Sequence, residues 1–125
     1  MTRDKEKKRL KNFRHNRSIS GIYSKLKFSA KKRNITITFS KDEFINWYNQ
    51  QEQRCYYCRR TIKETKTDIG LNSSSYRLSI DRKNNNKGYK LDNIVLACNR
   101  CNIIKGKFFT APEMLIIAKE ILNKR

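Results

Sequence analysis

The chain has 125 residues, enough for one domain, or for a domain with an appendage, built around a modest core. Its 30 lysines and arginines face 11 aspartates and glutamates, which gives a net charge of +19. This excess is far above what solubility requires, so we expect a polyanionic partner and take nucleic acid as the first candidate. A solvated basic surface, a structural role on RNA and an anionic membrane surface are the alternatives.

Two features of the sequence indicate the cellular compartment of the protein. No run approaches the roughly 20 apolar residues that a membrane span needs, and the charged N-terminus has no apolar signal region. We therefore expect an intracellular protein that is neither secreted nor inserted in a membrane.

Residues 1–35 form a basic arm that holds 13 of the 30 lysines and arginines. Apolar residues at helical spacing predict a helix from about Ile19 to Lys32, and residues before about Asn16 are expected to be loose until they meet a polyanion. The expected nucleic-acid contacts of this arm are Lys31, Lys32 and Arg33. We place a domain boundary here, with the arm at 1–35 and a folded domain at 36–125.

The next stretch predicts a strand and a helix. Ile35–Phe39 alternates β-branched residues, as a short strand or an extended entry segment does. Ser40 and Glu43 form a capping box at the start of a helix that runs from Lys41 to about Gln51. The aromatic stripe on that helix could stack on bases, but its spacing is more typical of a core: Phe44, Trp47 and Tyr48.

The second half of the chain predicts a hairpin flanked by a loop and two helices. Thr61–Tyr76 is polar and is expected to be a variable loop. Residues rich in Asn and Gly mark the reversal between two apolar runs. The two strands are expected at Leu78–Ile80 and Ile94–Ala97, followed by a helix from Asn102 to about Lys107. A Thr110–Glu113 capping box opens a last helix that runs through Leu122. Its expected buried residues are Met114, Ile117, Ala118, Ile121 and Leu122.

All four cysteines occur in two Cys-x-x-Cys pairs, separated by 39 residues. In a chain that is not secreted, such pairs favour a metal site over disulfides, with redox or unpaired cysteines as the alternative. Four thiolates complete the tetrahedral shell of Zn²⁺ and leave no open position. Cys55, Cys58, Cys98 and Cys101 are therefore the expected ligands of a structural zinc.

The same region carries a resemblance to a known family. Its four short motifs are Ile80-Asp81-Arg82, Gly88-Tyr89, Asp92-Asn93-Ile94 and Cys98-x-x-Cys101-Asn102-x-x-Lys105. Together with the upstream cysteine pair, these motifs resemble the HNH endonucleases, a family of ββα-metal nucleases, and more narrowly their subgroup with Asp-Arg in place of Asp-His. The resemblance covers roughly residues 30–120 and leaves the basic arm outside. The resemblance implies an α+β fold, a small zinc-stapled ββα-metal core with flanking helices.

Three roles follow from the family pattern. Asp81 would be a ligand of a catalytic metal, Asn93 the residue that ties the hairpin together, and Asn102 the second metal ligand. A hard ion such as Mg²⁺ or Mn²⁺ prefers oxygen ligands and needs few from the protein when water and phosphate complete its shell. Local backbone hydrogen bonds are the alternative for all three residues.

The sequence departs from the family at Arg82, where HNH enzymes usually place a histidine as general base. Arginine stays protonated, so Arg82 is expected to clamp the scissile phosphate, and Lys105 is expected to contact phosphate as well. Tyr57 matches the position of a tyrosine in the Asp-Arg subgroup and is the candidate base or proton relay. Packing beside the cysteines is the alternative for Tyr57, and activation of water by the metal alone is the rival mechanism.

The expected function is that of a metal-dependent DNA endonuclease of restriction or homing type that acts on double-stranded DNA, with a monomer and a homodimer as the alternative oligomeric states. A zinc-stabilised binding protein without catalysis and a basic RNA-associated protein are the alternatives.

Overall fold

The structure, a computed structural model, describes residues 3–68 and 76–122. The chain divides into two compact units, Met1–Gln50 and Gln51–Arg125. None of the helices within the described ranges is both long and apolar enough to cross a membrane. The elements are helices α1 (Arg3–Lys32), α2 (Lys41–Gln50) and α3 (Ile62–Asp68), strand β1 (Ser79–Arg82), a 3₁₀ turn (Leu91–Asn93), strand β2 (Ile94–Ala97), and helices α4 (Asn99–Lys105) and α5 (Ala111–Glu120).

Helix α1 begins at Arg3 and is continuous to Lys32, so the helix is longer than the one expected from Ile19 to Lys32. Lysine, arginine and glutamate are good helix formers, and no glycine or proline interrupts the chain before Gly21. The helix ends at Lys32, and Asn34 just beyond it has a left-handed φ of 55°. The N–H of Ile35 then donates to the carbonyl of Ala30 at 2.8 Å, which satisfies one of the last helical carbonyls.

The first unit has an aromatic core. Residues 35–39 form an extended connection, the second of the two forms expected for this segment, and no named strand. The Phe39 and Phe44 rings stack with centroids 5.7 Å apart, and the Tyr23 ring lies 5.8 Å from Phe44. Phe44 and Tyr48 are buried, which confirms the core interpretation of the stripe on α2. The expected capping box is present, since Ser40 and Glu43 each accept the other's backbone N–H.

The second unit is built on the expected hairpin. Strands β1 and β2 are antiparallel, with Ile80 opposite Leu96 and Asp81 opposite Val95. The N–H of Tyr56 donates to the carbonyl of Leu96 at 2.7 Å, so the first cysteine pair lies alongside β2. Helix α4 starts at Asn99, earlier than expected, because the Cys98 sulfur caps it.

Helix α3 occupies part of the expected loop, whose residues 69–75 lie outside the described residues. The loop prediction was wrong for Ile62–Asp68. Thr61 and Glu64 form a reciprocal cap at its start: each side chain accepts the other's backbone N–H.

Helix α5 has the predicted Thr110–Glu113 capping box and ends at Glu120. Its Met114 and Ala118 are buried as expected. Ile121 lies beyond the helix and is 50% exposed, so the predicted buried stripe stops short.

Candidate metal centre and active site

The four cysteines converge on one point. Their sulfur atoms all lie within 4.8 Å of one another, and all four residues are buried. Two thiolates of a tetrahedral Zn²⁺ site with Zn–S bonds of about 2.3 Å lie about 3.8 Å apart. The sulfurs of Cys58 and Cys98 are 3.8 Å apart. The cluster therefore has the donor set and the spacing of a structural metal site.

The backbone around each cysteine pair shapes this cluster. The N–H of Cys101 donates to the Cys98 sulfur at 3.5 Å, and the N–H of Arg59 donates to the Cys55 carbonyl at 2.9 Å. Hydrogen bonds, the strongest from Cys101, lower the pKa of Cys58 to about 6. The pKa of Cys55 is lowered for the same reason, whereas hydrogen bonds with Cys55 and Cys58, together with burial, raise the pKa values of Cys98 and Cys101.

A second cluster surrounds Asp81 on β1. The Tyr57 hydroxyl donates to Asp81 Oδ2 at 2.6 Å, and the Lys105 ammonium lies 3.5 Å from the same oxygen. Neither the hydrogen bond nor the ion pair involves the other carboxylate oxygen of Asp81, Oδ1. Burial raises the pKa of Asp81, although the hydrogen bond from Tyr57 and the charge of Lys105 act in the opposite direction. The hairpin, the first cysteine pair and α4 thus bring three predicted site residues together.

Lys105 is buried and does not lie on the surface, where a phosphate contact was expected. Its side chain is 0% exposed. The ammonium donates to the Arg82 carbonyl at 2.8 Å and to Asn85 Oδ1 at 3.3 Å, in addition to its ion pair with Asp81. A lysine held in this way balances charge inside the fold, so the assignment to a surface phosphate contact is corrected.

Tyr57 is buried and acts as a proton donor in this structure. Burial, followed by the hydrogen bond to Asp81 and its negative charge, raises the pKa of Tyr57 well above its usual value. A general base must be deprotonated, whereas a relay passes on a proton that it holds. The geometry favours the relay over the base among the two expected roles.

Arg82 is half-buried at the end of β1. Its Nη1 donates to the carbonyls of Asn85 and Lys87, both at 3.0 Å, and its guanidinium lies 5.5 Å from the centre of the Tyr89 ring. A guanidinium carries five N–H groups. The two bonds from Nη1 fix the side chain and do not use the N–H groups of Nη2 and Nε.

Asn93 is buried and joins the two ends of the connection between the strands. Its Oδ1 accepts the N–H of Asn84 at 3.0 Å, while its Nδ2 donates to the carbonyls of Asn84 and Gly88 at 3.1 and 2.9 Å. All donors and acceptors of this amide face the hairpin. The contacts are those of a residue that ties the hairpin together.

Asn102 lies on α4 one turn before Lys105, so the two side chains share a helix face. Lys105 brings that face to Asp81. One carboxylate and one amide are oxygen donors of the kind that Mg²⁺ and Mn²⁺ prefer. The residues present therefore fit a divalent ion whose remaining ligands come from phosphate and water.

Lys31, Lys32 and Arg33 are exposed at the end of α1, in the first unit. Lys32 lies 5.1 Å from the centre of the Phe28 ring. Their exposure leaves these cations accessible to a polyanion.

Asn85 and the burial of Lys105 are the site features that sequence reasoning missed. A usable signal for the lysine was present: Cys101 and Lys105 are four residues apart on one helix, so a buried metal ligand directs Lys105 inward as well. Asn85 carried no such signal, because its contacts with Lys105 and the Gly106 carbonyl join residues about 20 positions apart.

Comparison with known proteins places this geometry in context. No family model matches the chain. The uncharacterized protein R423 of Acanthamoeba polyphaga mimivirus is 37% identical over 101 residues, which cover 81% of this chain and 16% of that protein. The chain thus spans a small part of this curated relative. Among solved structures, the rare-cutting HNH restriction endonuclease PacI matches with a TM-score of 0.69 and 30% identity, over 82% of this chain and 75% of the PacI chain.

Proposed function

Because this chain belongs to the HNH endonuclease family, we propose that it is a metal-dependent DNA endonuclease that hydrolyses phosphodiester bonds in double-stranded DNA. One observation carries the proposal: the Asp81 carboxylate lies on the hairpin with Tyr57 and Lys105 both bound to Oδ2. Two donors on one oxygen hold the carboxylate in a fixed orientation and turn Oδ1 to another partner.

Asp81 and Asn102 would hold one Mg²⁺ or Mn²⁺. Such an ion supplies Lewis-acid polarisation of the phosphoryl group and a more acidic water. The four cysteines would hold Zn²⁺, whose closed shell stabilises the fold. Lys105 keeps the buried charge of Asp81 balanced, and Tyr57 fixes the carboxylate.

Arg82 would bind the scissile phosphate through the N–H groups outside its two turn contacts. Because the turn carbonyls and the Tyr89 ring already hold the guanidinium, little side-chain entropy is lost when phosphate binds. Its charge is available throughout the reaction to stabilise the negative charge that develops on phosphorus oxygens.

Tyr57 would serve as the proton relay. A water molecule that attacks phosphorus loses a proton while the bond from phosphorus to the leaving sugar oxygen breaks. A phenol can accept that proton while passing its own to Asp81 Oδ2, 2.6 Å away, and solvent water protonates the leaving oxygen. The basic arm at residues 1–35, including Lys31, Lys32 and Arg33, would add sequence-independent affinity for the DNA backbone. A homodimer would allow both strands to be cut.

Cleavage of supercoiled plasmid DNA tests the proposal. We expect purified protein to convert the plasmid to nicked and linear forms when Mg²⁺ or Mn²⁺ is added, and to leave it intact when neither is present. A mobility-shift assay on the same samples reports binding. DNA binding without nicking under either ion would refute the nuclease and identify a non-catalytic binding protein.

A further inference from the structure

A groove lies beside the Asp81 cluster in the second unit. It has a volume of about 610 Å³ and runs between the turn that follows β1 and the connection from α4 to α5. Asn85 lines this groove and also accepts a hydrogen bond from Lys105, so the groove starts next to the candidate active site. None of the proposed catalytic side chains lines it.

One wall of the groove presents an aromatic ring to solvent. Phe108 is 88% exposed and is followed by the partly exposed Phe109. Gly106 ends α4 with a φ of 47°, a conformation that favours glycine, and a Cβ there would lie 3.4 Å from the Ile103 carbonyl. A glycine thus allows the chain to turn at the end of α4, directly before the exposed Phe108. Large exposed apolar groups of this kind mark binding surfaces.

The polar part of the remaining lining is basic and amide-bearing, and it lies beside Tyr56, Thr110, Ala111, Pro112 and Leu115. Lys83 and Lys107 lie on opposite walls, Asn84 and Asn86 are exposed on the turn, and the lining contains no acidic residue. An apolar peptide would gain nothing from the two lysines. A ligand with phosphates, a flat π surface and hydrogen-bonding edges would use all three kinds of group.

We propose that this groove binds an unpaired nucleotide of the DNA substrate, with its base stacked on Phe108. Aromatic side chains stack on any base, and lysines neutralise the flanking phosphates. The exposed asparagine amides can bond to the Watson–Crick edge of a base, which is accessible only when the base has left its pair. The inference rests on the proposed function, since it places this nucleotide beside the phosphate that Arg82 would hold.

Three end-labelled duplexes of one sequence test the inference by fluorescence anisotropy, without added Mg²⁺, Mn²⁺ or chelator. The first is fully paired, the second has one bulged nucleotide, and the third has an abasic residue at the bulge. Stacking of one base on an aromatic side chain predicts that the protein binds the bulged duplex about five-fold to 150-fold more tightly than the abasic one.

Substitutions at Phe108 separate stacking from general contact. Phe108→Leu keeps an apolar side chain and should remove the preference for the bulged base, whereas Phe108→Trp should retain it. Ile116→Ala is the matched control, because Ile116 is 62% exposed on α5 and does not line the groove. Circular dichroism checks that each variant is folded.

The outcomes distinguish the groove from the nuclease. Equal affinity for the bulged and abasic duplexes, or a preference that survives Phe108→Leu, overturns the groove assignment, while plasmid cleavage would still support the enzyme. Conversely, a base preference that depends on Phe108 in a protein that never nicks plasmid supports the groove and refutes the nuclease.

Discussion

Lys105 shows how one side chain connects several parts of the site. Its ammonium bonds to the Arg82 carbonyl and to Asn85, and it balances the charge of Asp81. The sequence suggested a phosphate contact, because a lysine in a basic protein is usually exposed. Burial of a charge is costly unless it is paired, so this lysine has an internal function that its residue type alone does not reveal.

We predict that Lys105→Met destabilises the protein by about 3 kcal/mol at neutral pH, because it leaves the buried Asp81 carboxylate without its counter-charge. Burial already raises the pKa of Asp81, and loss of the lysine raises it further. The folded protein then binds a proton on Asp81 more tightly than the unfolded chain does. The destabilisation should therefore be largest above the folded pKa of Asp81 and shrink as the pH falls below it.

Thermal unfolding of Lys105→Met and Lys107→Met, at pH values above and below the folded pKa of Asp81, measures the difference in stability. Lys107 is exposed, so its variant reports every other acid effect, including protonation of the cysteines. A difference between the two variants that stays constant with pH would contradict the account of Asp81.

Tyr57→Phe should lower the rate of DNA cleavage about 100-fold or more, because it removes the hydroxyl that donates to Asp81 and relays the proton. Single-turnover kinetics at saturating DNA measure the rate, and Tyr56→Phe, the neighbouring tyrosine, is the control. An unchanged rate in Tyr57→Phe would assign activation of the water to the metal alone.

At the scale of elements, the hairpin depends on one buried amide. Asn93 makes three hydrogen bonds to the connection between β1 and β2. We expect Asn93→Ala to cost about 2 kcal/mol of unfolding free energy, since it leaves buried backbone groups of that connection unsatisfied.

Urea unfolding of Asn93→Ala and Asn86→Ala tests this role. Asn86 lies in the same connection but is exposed, so its substitution should change stability by less than about 0.5 kcal/mol. Equal stability of both variants would show that Asn93 does not hold the hairpin.

The elements also show what the sequence could predict. The capping boxes at Ser40 and Thr110 and the strand Ile94–Ala97 are local patterns, and the structure has them. Helix α3 was missed because its polar composition resembles a loop, although its Thr61–Glu64 cap could have been read from the same rule. The groove at Phe108 could not be predicted, since its walls come from segments more than 20 residues apart.

At the scale of the molecule, the cysteine cluster joins two distant segments of the second unit. Cys98 directly follows β2 and caps α4, the helix that carries Asn102 and Lys105. Structural Zn²⁺ contributes roughly 10–16 kcal/mol to the folding of small metal domains. Loss of the metal should therefore unfold the site as well as the cluster.

We predict one Zn²⁺ per chain by elemental analysis, and a loss of near-ultraviolet circular dichroism when a strong chelator removes it. Addition of Zn²⁺, but not of Mg²⁺, should restore the signal. A chain that keeps its signal without metal would contradict a structural role for the cluster.

The most direct test of the account is the nicking rate of Asp81→Asn on supercoiled plasmid with Mn²⁺, since the amide keeps the shape of the side chain and removes its charge. Asp92→Asn is the control, because Asp92 is an exposed acid of the same unit. Loss of a direct metal ligand should exceed the roughly 10-fold to 100-fold cost of losing an outer-shell partner. We therefore predict a rate at least about 100-fold lower for Asp81→Asn than for wild type, with Asp92→Asn unchanged and both variants folded. Wild-type nicking by folded Asp81→Asn would contradict the assignment of the active site.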